Sequence, residues 1–265
     1  MEDVIEVNEE PASYILVQKE IREKGKGYFL LKKVQPPMTE RVIKEGIRHL
    51  LEAGSEKIYF ACTDESIKLS QTSFKVGEYE FKFYGEMDYM EKTFDSHDIG
   101  ADEKDLLLER LTDKNCHRFK EIYNQCFFHV PNSETYTDEN IKELLKSNMN
   151  NAMQVGLIFR GEDEIGMYEI SFAKKVPEIA AIGIAEEERG KRWGFKALNL
   201  LLRTLGEGGF CTAGLIVSTA NPQAYYLYKR VGFQKQYTQS RWYTLESVPK
   251  LSLQDRTVEN DSAQS

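Results

Sequence analysis

The chain has 265 residues, 41% of them hydrophobic and 29% charged, which fits one or two globular domains and excludes disordered, collagen-like and low-complexity classes. A formal charge of -8 argues against nucleic acid as a partner. No apolar run approaches the ~20 residues that cross a bilayer, and the acidic segment 1–11 does not resemble a signal peptide. We therefore expect a cytoplasmic protein without a membrane partner.

The first hundred residues predict a small α/β domain. Its predicted elements are, in chain order, a strand at 14–17, a strand at 28–31, an amphipathic helix at 40–53 and a strand at 58–62. The helix ends at Gly54, and the order helix, glycine, strand returns at residues 195–218, which indicates a weak internal repeat. Residues 95–105 are acidic and rich in turn-forming residues, so they are the predicted linker.

The residues from 101 to 247 predict a second α/β domain. Two helices are expected first, at 116–126 and after Asp138, which is placed to cap the second one. The elements predicted after them are strands at 153–159, 165–170 and 179–184, a helix at 195–205, a strand at 215–218, a short helix capped by Asn221 with Pro222 in its first turn, and strands at 233–237 and 241–245. Short connections favour antiparallel pairing of the first three strands.

These patterns predict a mixed α/β (α+β) fold with a mostly antiparallel central sheet flanked by helices. The apolar segment 179–184 is expected to be a central strand that is covered on both faces. The predicted division is a smaller N-terminal domain at 1–100, a second domain at 101–247 and a polar C-terminal tail at 248–265.

No metal site is predicted. The four cysteines lie far apart, without a CxxC pair and without histidines at zinc-binding spacing, and we expect buried thiols: Cys62, Cys116, Cys126 and Cys211. The four histidines also lie in unrelated settings without a nucleophile beside them, and we expect them to be surface or packing residues: His49, His97, His117 and His129.

The most informative segment runs from the predicted buried strand 179–184 into the helix at 195–205. A basic loop with two glycines, Arg189-Gly190-Lys191-Arg192-Trp193-Gly194, opens this helix. Free backbone N–H groups and the positive end of the helix dipole meet at such a helix N-terminus, and they favour a bound phosphate. The spacing matches neither the Rossmann fingerprint nor the P-loop, so the loop alone leaves an ordinary basic helix start open.

The segment resembles the Gcn5-related N-acetyltransferase (GNAT) family. The acetyl-CoA loop of that family has the pattern Gln/Arg-x-x-Gly-x-Gly/Ala, whose ends match Arg189 and Gly194. A later family pattern, Asn-x-x-Ala-x-x-x-Tyr-x-x-x-Gly-Phe, is matched at every named position by Asn221, Ala224, Tyr228, Gly232 and Phe233. The predicted element order from about residue 110 to 246 also fits the family, and the N-terminal hundred residues resemble a degenerate second copy of the same fold.

The resemblance implies acetyl-CoA as co-substrate and direct acetyl transfer to an amine. It implies that the backbone of Ile182, Gly183 and Ile184 pairs with the pantetheine arm like an added strand, and we expect Gly183 to permit a β-bulge. It implies that the loop holds the phosphates through Arg189, Gly190, Lys191, Arg192 and Gly194, with Trp193 and Phe195 as walls of the site and Asn221 at the start of the next helix.

Two side chains carry the catalytic roles that the resemblance implies. Tyr228 is the expected acid that protonates the leaving thiolate, with a packed helix aromatic as the alternative. Glu178 stands eleven residues before Arg189, the spacing of the glutamate base in the histone-acetylating branch of the family. Glu169 on the preceding strand is the second candidate base. Tyr225 and Tyr226 are expected to pack at the core or the rim.

One position departs from the family pattern, because Arg192 replaces the middle glycine of the loop. An arginine would cost stability or binding if this position needs a positive φ, although its guanidinium is also able to pair with a phosphate. In the N-terminal copy the comparable loop contains Pro36 and Pro37, which lack N–H donors, so this copy is not expected to bind CoA.

The function predicted is an acetyl-CoA-dependent N-acetyltransferase that modifies a primary amine of a small molecule or peptide. Net acidity mildly favours a cationic acceptor, and the N-terminal domain is expected to shape the acceptor pocket. The alternative is a CoA-binding regulatory or structural protein that has lost turnover, a reading that Arg192 favours. An unrelated α/β binding module is a third reading, and a homodimer formed through edge strands stays open.

Overall fold

The computed structural model describes residues 3–10, 12–35, 38–64, 66–67, 69–95, 105–128, 130 and 133–247. The chain forms two compact units: unit 1 consists of Met1–Gly85 and Ser240–Ser265, and unit 2 consists of Glu86–Gln239. Helices flank mostly antiparallel β-structure in both units, so the predicted mixed α/β class is confirmed.

Unit 1 contains a crossover of strand, helix and strand that joins two parallel strands. Its elements are β1 (Val4–Glu9), β2 (Ala12–Val17), α1 (Ile21–Lys24), β3 (Lys26–Val34), α2 (Thr39–Glu52), β4 (Lys57–Cys62), β5 (Ser73–Val76), the first part of β6 (Tyr79–Thr93) and the last part of β12 (Gln234–Ser247). The strand order is β1, β2, β3, β4 and then β12. Strands β3 and β4 are parallel, and the aromatic core beneath them includes Phe29, Phe60 and Phe81.

Unit 2 contains the larger set of elements. They are β7 (Leu106–Arg110), α3 (Cys116–Phe127), α4 (Asp138–Met149), β8 (Met153–Arg160), β9 (Asp163–Ser171), β10 (Glu178–Ile184), α5 (Trp193–Glu207), β11 (Thr212–Ser218) and α6 (Pro222–Val231). The strand order is β7, β8, β9, β10, β11 and then residues 87–93 of β6. All of these neighbours are antiparallel except β10 and β11.

Helices pack on both faces of the unit 2 sheet, but the prediction that β10 is covered on both faces is only half right. Ile179, Ala181 and Gly183 are buried, whereas Ala180 is exposed and Ile182 and Ile184 are half-buried. One core contains the inward residues of α5, such as Leu198 and Leu201, with the strand residues Ile179 and Leu215. The other contains Phe119 and Ile122 of α3, Ile141 of α4, and the strand residues Val155 and Ala181.

The predicted elements of both halves are found, with three differences. Residues 233–237 and 241–245 do not form two strands, because Gln239 and Ser240 continue the single extended strand β12. The strands β1, β5, β6 and β7 and the short helix α1 were not predicted at all. The helix expected to be capped by Asp138 is capped instead by Thr137, whose hydroxyl accepts a hydrogen bond from the Asn140 amide.

The bounds of the two compact units differ from those of the predicted domains, 1–100 and 101–247. The reason is that β6 and β12 each contribute one end to unit 1 and the other end to unit 2. The predicted linker lies largely in 96–104, which is outside the described residues, and so do the prolines at 36–37 and the tail at 248–265. No helix among the described residues is long and apolar enough to cross a membrane.

Candidate functional site

The site begins where the two parallel strands of unit 2 separate. Along the whole of β10 and β11, the one residue pair in register is Glu178 opposite Gly214. On its other side β10 stays paired with β9 up to Ile184, but with a bulge between Ile179 and Ala181. Beyond Glu178 the β10 edge that faces β11 therefore has no partner strand.

A cleft of about 570 Å³ opens at this unpaired edge. It is walled by the end of β10, the loop before α5, one side of α6 and the end of α3. The residues predicted to bind acetyl-CoA or to catalyse transfer that line it are Ile182, Gly183, Ile184, Arg189, Gly190, Arg192, Trp193, Gly194, Phe195, Asn221 and Tyr228. Lys191 and Glu178 are not among its lining residues.

Gly183 is needed for close packing and not for the bulge, which lies three residues earlier. A Cβ atom at Gly183 would lie 2.9 Å from the Cys126 Sγ and 3.4 Å from the Met167 Sδ. Helix α3 therefore approaches the β10 backbone closely at this point. The Cys126 thiol also donates to the Ile184 carbonyl at 3.4 Å, and burial raises its pKa.

The basic loop before α5 is partly neutralised by its own surroundings. The Arg189 Nε donates to the Ile184 carbonyl at 3.0 Å, which joins the loop to the end of β10. Lys191 Nζ lies 3.1 Å from one oxygen of Glu188, and Arg160 lies 3.1 Å from the other. Lys191 thus points toward Glu188, which explains its absence from the cleft.

Arg192 has the left-handed backbone that the family pattern assigns to glycine. Its φ is +65° and its ψ is 11° at the N-cap of α5, and its carbonyl accepts the first helical hydrogen bond, from Lys196. A non-glycine residue in this region costs about 1–2 kcal/mol. The exposed Arg192 side chain forms no ion pair among the described residues. The departure from the family pattern is therefore also a strained position.

Trp193 forms a wall at the start of α5. Its ring lies between two cations, with the Lys196 Nζ 4.8 Å and the Arg160 guanidinium 5.5 Å from the ring centroid. Its indole N–H is buried and has no hydrogen-bond partner among the described residues. Such an orphaned donor beside a cleft marks a place where a ligand acceptor is favourable.

Tyr228 is held by a helix with well-formed ends. The Asn221 side chain caps α6 by accepting from the Ala224 amide at 3.1 Å, and Gly232 ends it with a φ of +106°. Burial raises the pKa of Tyr228 to about 12. The Tyr228 hydroxyl makes no hydrogen bond to the described part of the chain, and its ring packs edge-on against Phe233.

A buried aspartate anchors α6 one turn before Tyr228. Asp88 on β6 is 1% exposed, and it accepts from the Tyr225 hydroxyl at 3.0 Å. It also accepts from the Thr238 hydroxyl at 3.0 Å and pairs with the Lys235 Nζ at 2.7 Å. This carboxylate is fully satisfied, and Tyr225 serves packing and anchoring as its sequence position suggested.

Glu178 lies at the closed end of the separating strands. Its carboxylate pairs with the Lys174 Nζ at 2.7 Å. The neighbouring Tyr89 hydroxyl donates to Glu91 at 2.9 Å, and its pKa is raised by burial, by Glu91 and by the charge of Glu178. Glu178 thus sits in a polar cluster beside the cleft and not in its wall.

A second carboxyl, Glu169 on β9, lies one strand away from the open edge. It is 4% exposed and stands opposite Ala181 of β10. The Tyr136 hydroxyl donates to it at 3.0 Å. Burial raises the pKa of Glu169 to about 7 against the lowering effect of that hydrogen bond. Tyr136 was not singled out from the sequence, because it lies in a loop without a recognisable pattern.

No cluster of three or more potential metal ligands occurs in the described ranges. His49 contacts Gln18 and His117 lies 3.4 Å from Glu121, so these two histidines occupy unrelated settings in the two units. His97 and His129 are outside the described residues.

Comparison with known sequences finds one family match, and it lies within unit 2. Residues 116–233 match the sequence model of the family described as "Acetyltransferase (GNAT) family", which is less than half of the chain. No curated protein matches the sequence significantly.

Solved structures extend the likeness to the fold of nearly the whole chain. A functionally unknown conserved protein from Staphylococcus epidermidis ATCC 12228 has a TM-score of 0.59 at 12% identity, covering 93% of this chain and 95% of its own. A GCN5-related N-acetyltransferase from Sphaerobacter thermophilus has 0.59 at 11%, covering 88% and 76%. One from Kribbella flavida has 0.58 at 11%, covering 92% and 90%. At such identities these matches establish a shared GNAT fold.

Proposed function

We propose that unit 2 binds acetyl-CoA in the cleft and transfers the acetyl group directly to a primary amine of a small molecule or peptide. The observation that carries the proposal is the separation of β10 and β11 after a single residue pair, which opens onto a cleft that also contains Tyr228 and the loop before α5. The GNAT family match at residues 116–233 supports the same reaction.

The residues around the cleft fit acetyl-CoA. The free edge of β10 at Ile182, Gly183 and Ile184 offers backbone donors and acceptors to the two amides of pantetheine. The N–H groups at the start of α5 are placed for the phosphates. The chain offers further donors in Arg192, Arg230 and the unpaired indole N–H of Trp193, all in the cleft wall.

When bound, acetyl-CoA supplies a thioester whose carbonyl carbon an amine attacks and whose sulfur leaves. Tyr228 is assigned as the donor to that sulfur. A phenol of pKa about 12 is a weaker acid than a thiol near 8.5, so complete proton transfer would be uphill by about 5 kcal/mol. We therefore assign Tyr228 a hydrogen bond that strengthens as charge develops on sulfur, which is the useful direction for catalysis.

Glu178 keeps its proposed role as the base that converts the acceptor ammonium to the neutral amine, with one condition. It lies at the vertex of the separating strands, yet the Lys174 ammonium holds its carboxylate. Taking a proton from the acceptor requires Glu178 to exchange this partner for the incoming amine. Lys174 is 61% exposed and held by a surface ion pair, so the exchange costs about 1 kcal/mol or less.

The alternative is a protein that binds CoA without turnover. Two observations favour it: the strained backbone of Arg192, and the Ile184 carbonyl, which already accepts from Arg189 and Cys126. The acceptor, a cytoplasmic location and a homodimer stay predictions. Of the four thiols expected to be buried, Cys62 is buried, Cys116 and Cys126 are half-buried, and Cys211 is exposed.

Calorimetric titration of the full chain with acetyl-CoA tests the proposal. We expect one site per chain with a Kd of about 1–100 μM, followed by thiol release when primary amines are added. Binding without thiol release for any amine would favour the alternative. No heat at millimolar acetyl-CoA would overturn both, and the cleft would then belong to another ligand.

A further inference from the structure

Glu169 is a carboxyl group in an otherwise apolar position of the sheet. Its neighbours across the two strand pairs are Val155 on β8 and Ala181 on β10, which carry no charge. Both belong to the core beneath α3 and α4, where Glu169 is buried to 96%. An isolated charge in such a place is costly, so the position calls for an explanation beyond packing.

The partner of this carboxyl is held rigidly. The side chain of Asn124 on α3 bonds both backbone groups of Tyr136, accepting from its N–H at 2.8 Å and donating to its carbonyl at 3.0 Å. The Tyr136 ring stacks on that of Tyr123 with centroids 3.8 Å apart. Its hydroxyl is thereby fixed on the Glu169 Oε1.

The groups that face this pair bring no positive charge to it. Glu134 of the same loop disfavours ionisation of Glu169, and Tyr123 of α3 is the other titratable neighbour of Tyr136. No cation pairs with Glu169 in the described segments. Burial raises the pKa of Glu169 to about 7, so the carboxyl exchanges its proton near neutrality while the phenol stays protonated.

Aromatic packing connects Tyr136, and with it Glu169, to the wall of the cleft that α3 provides. The rings of Tyr136, Tyr123 and Phe127 pack in sequence, the last two with centroids 4.8 Å apart, and Phe127 lines the cleft. Tyr136 is partly exposed, whereas Glu169 is almost completely covered. Neither residue lines the cleft itself, and a group outside this core reaches the carboxyl only through the phenol.

We propose that Glu169, acting through the Tyr136 hydroxyl, receives the proton that the acceptor amine loses on acetylation. The inference rests on the proposed acetyl transfer. As nitrogen bonds to the acetyl carbon, an N–H proton passes to the Tyr136 oxygen and the phenolic proton passes to Glu169. The C–S bond breaks with its electron pair on sulfur, which takes up a proton, and Glu169 later releases its proton to water.

The same groups define the class of acceptor. Glu134 and Glu169 repel a carboxylate or phosphate on the acceptor near its amine, and both favour a positive charge there. The acceptor is therefore a primary amine with a cationic or neutral body. It arrives as an ammonium, Glu178 takes the proton that makes it a neutral amine, and Glu169 takes the proton that the nitrogen loses as it bonds to the acetyl carbon.

The test is the pH dependence of kcat for the best amine in a panel of alkyl monoamines, diamines and unblocked tripeptides, with both substrates saturating. In the natural protein kcat should rise with pH and level off above about 7. Glu169→Gln should lower kcat about a hundredfold and remove this inflection, and Tyr136→Phe should lower it at least tenfold. Glu162→Gln, an exposed carboxyl in the turn before β9, is the matched control and should change neither.

A second readout does not depend on turnover. Carbon-13 NMR of protein labelled at the glutamate carboxyls should show one resonance that titrates near pH 7 and vanishes in Glu169→Gln. In Tyr136→Phe its midpoint should move upward, because the phenol no longer stabilises the carboxylate.

The failures of the two proposals are distinguishable. A kcat profile that keeps its inflection in Glu169→Gln, or a Glu169 resonance that titrates near an ordinary 4.3, overturns this inference alone. If the natural protein binds acetyl-CoA yet acetylates no amine, the proposed function fails, and the inference fails with it.

Discussion

Each unit contains a crossover of strand, helix and strand, but the two parallel strands that it joins are paired along their length in unit 1 and almost unpaired in unit 2. In unit 1, β3 and β4 are in register over six pairs, from Lys26 opposite Lys57 to Leu31 opposite Cys62. In unit 2, β10 and β11 share a single pair. A site of this kind thus arises by leaving parallel strands unpaired, and the topology alone does not make one.

Packing explains why the crossover of unit 1 is closed, that is, why β3 and β4 stay paired, whereas the crossover of unit 2 is open. Phe29 of β3 packs edge-on against Phe60 of β4, and a Cβ at Gly46 of α2 would lie 2.6 Å from its ring. Helix, ring and strand are complementary in shape there. In unit 2 the close approach comes from α3 at Gly183, on the opposite face from α5, and the backbone bulge at 180 turns β10 away from β11.

Removing the central ring of the closed crossover should have the largest effect. Phe29 is completely buried, so Phe29→Ala should lower the free energy of unfolding by about 3–5 kcal/mol through lost burial and a cavity. Urea denaturation measures the change. Leu107→Ala at a 62% exposed strand position is the control, with a change of about 0.5 kcal/mol or less. A similar small loss for Phe29→Ala would mean that packing does not hold this crossover closed.

The strand next to each crossover gives a second contrast, because β2 places Leu16 opposite Phe29 whereas β9 places Glu169 opposite Ala181. A folded-state pKa of about 7, raised from 4.5, means that the folded protein binds more protons between these values. Stability should therefore fall by about 3 kcal/mol as pH rises from 4.5 to 7 and level off above that.

Glu169→Gln should remove this fall while the contributions of other groups remain. Urea unfolding of both proteins at several pH values should show the variant gaining on the natural protein by about 3 kcal/mol between pH 4.5 and 7.5. A gain in stability together with a loss of activity is expected of a functional carboxyl. A constant difference across this range would contradict the raised pKa.

In unit 2, whose crossover is open, turnover should depend on the Tyr228 hydroxyl. Tyr228→Phe should lower kcat ten- to a thousandfold and leave the acetyl-CoA Kd within about twofold, because the hydroxyl acts on a charge that develops during transfer. Steady-state kinetics and calorimetry measure the two quantities. Tyr226→Phe, an exposed tyrosine of the same helix that also lines the cleft, is the control. Unchanged kcat in Tyr228→Phe would remove this residue from the reaction.

The smallest effect concerns the strained loop of the open crossover. Arg192→Gly should raise the free energy of unfolding by about 0.5–1 kcal/mol, since relief of left-handed strain exceeds the extra chain entropy of glycine. Arg192→Lys keeps the strain and should leave stability unchanged. Thermal unfolding compares the three proteins, and a loss of stability in Arg192→Gly would show that the arginine side chain stabilises the loop.

Much of this fold was predictable because apolar periodicity is a local property. It located the β10 strand and the α5 helix, and Asn221 with Pro222 marked the start of α6 correctly. Strand β6 was missed although Tyr79, Phe81 and Phe83 alternate clearly. The turn predicted at Gln239 and Ser240 was wrong, because polar residues also belong to a strand where the chain stays extended within a sheet.

The candidate site was predictable only where a motif carries it. The pattern placed Tyr228, Gly194 and Arg189 in one cleft, which the structure brings together. The bulge at 180, the contact of Cys126 with Gly183 and the pair of Tyr136 with Glu169 depend on residues 9 to 57 positions apart. Such contacts leave no periodic signal in a single sequence.

The anchoring of α6 by Asp88 bears on where this domain can be cut. The family match ends at residue 233 and begins at 116, so a fragment with these limits lacks Asp88 and both of its partners at 235 and 238. It also lacks residues 87–93, the neighbours of β11. Tyr225 would lose its hydrogen-bond partner, and the helix that carries Tyr228 would keep its packing against α5 and β11 without its buried anchor. A fragment that keeps this anchor must therefore extend beyond the family match at both ends.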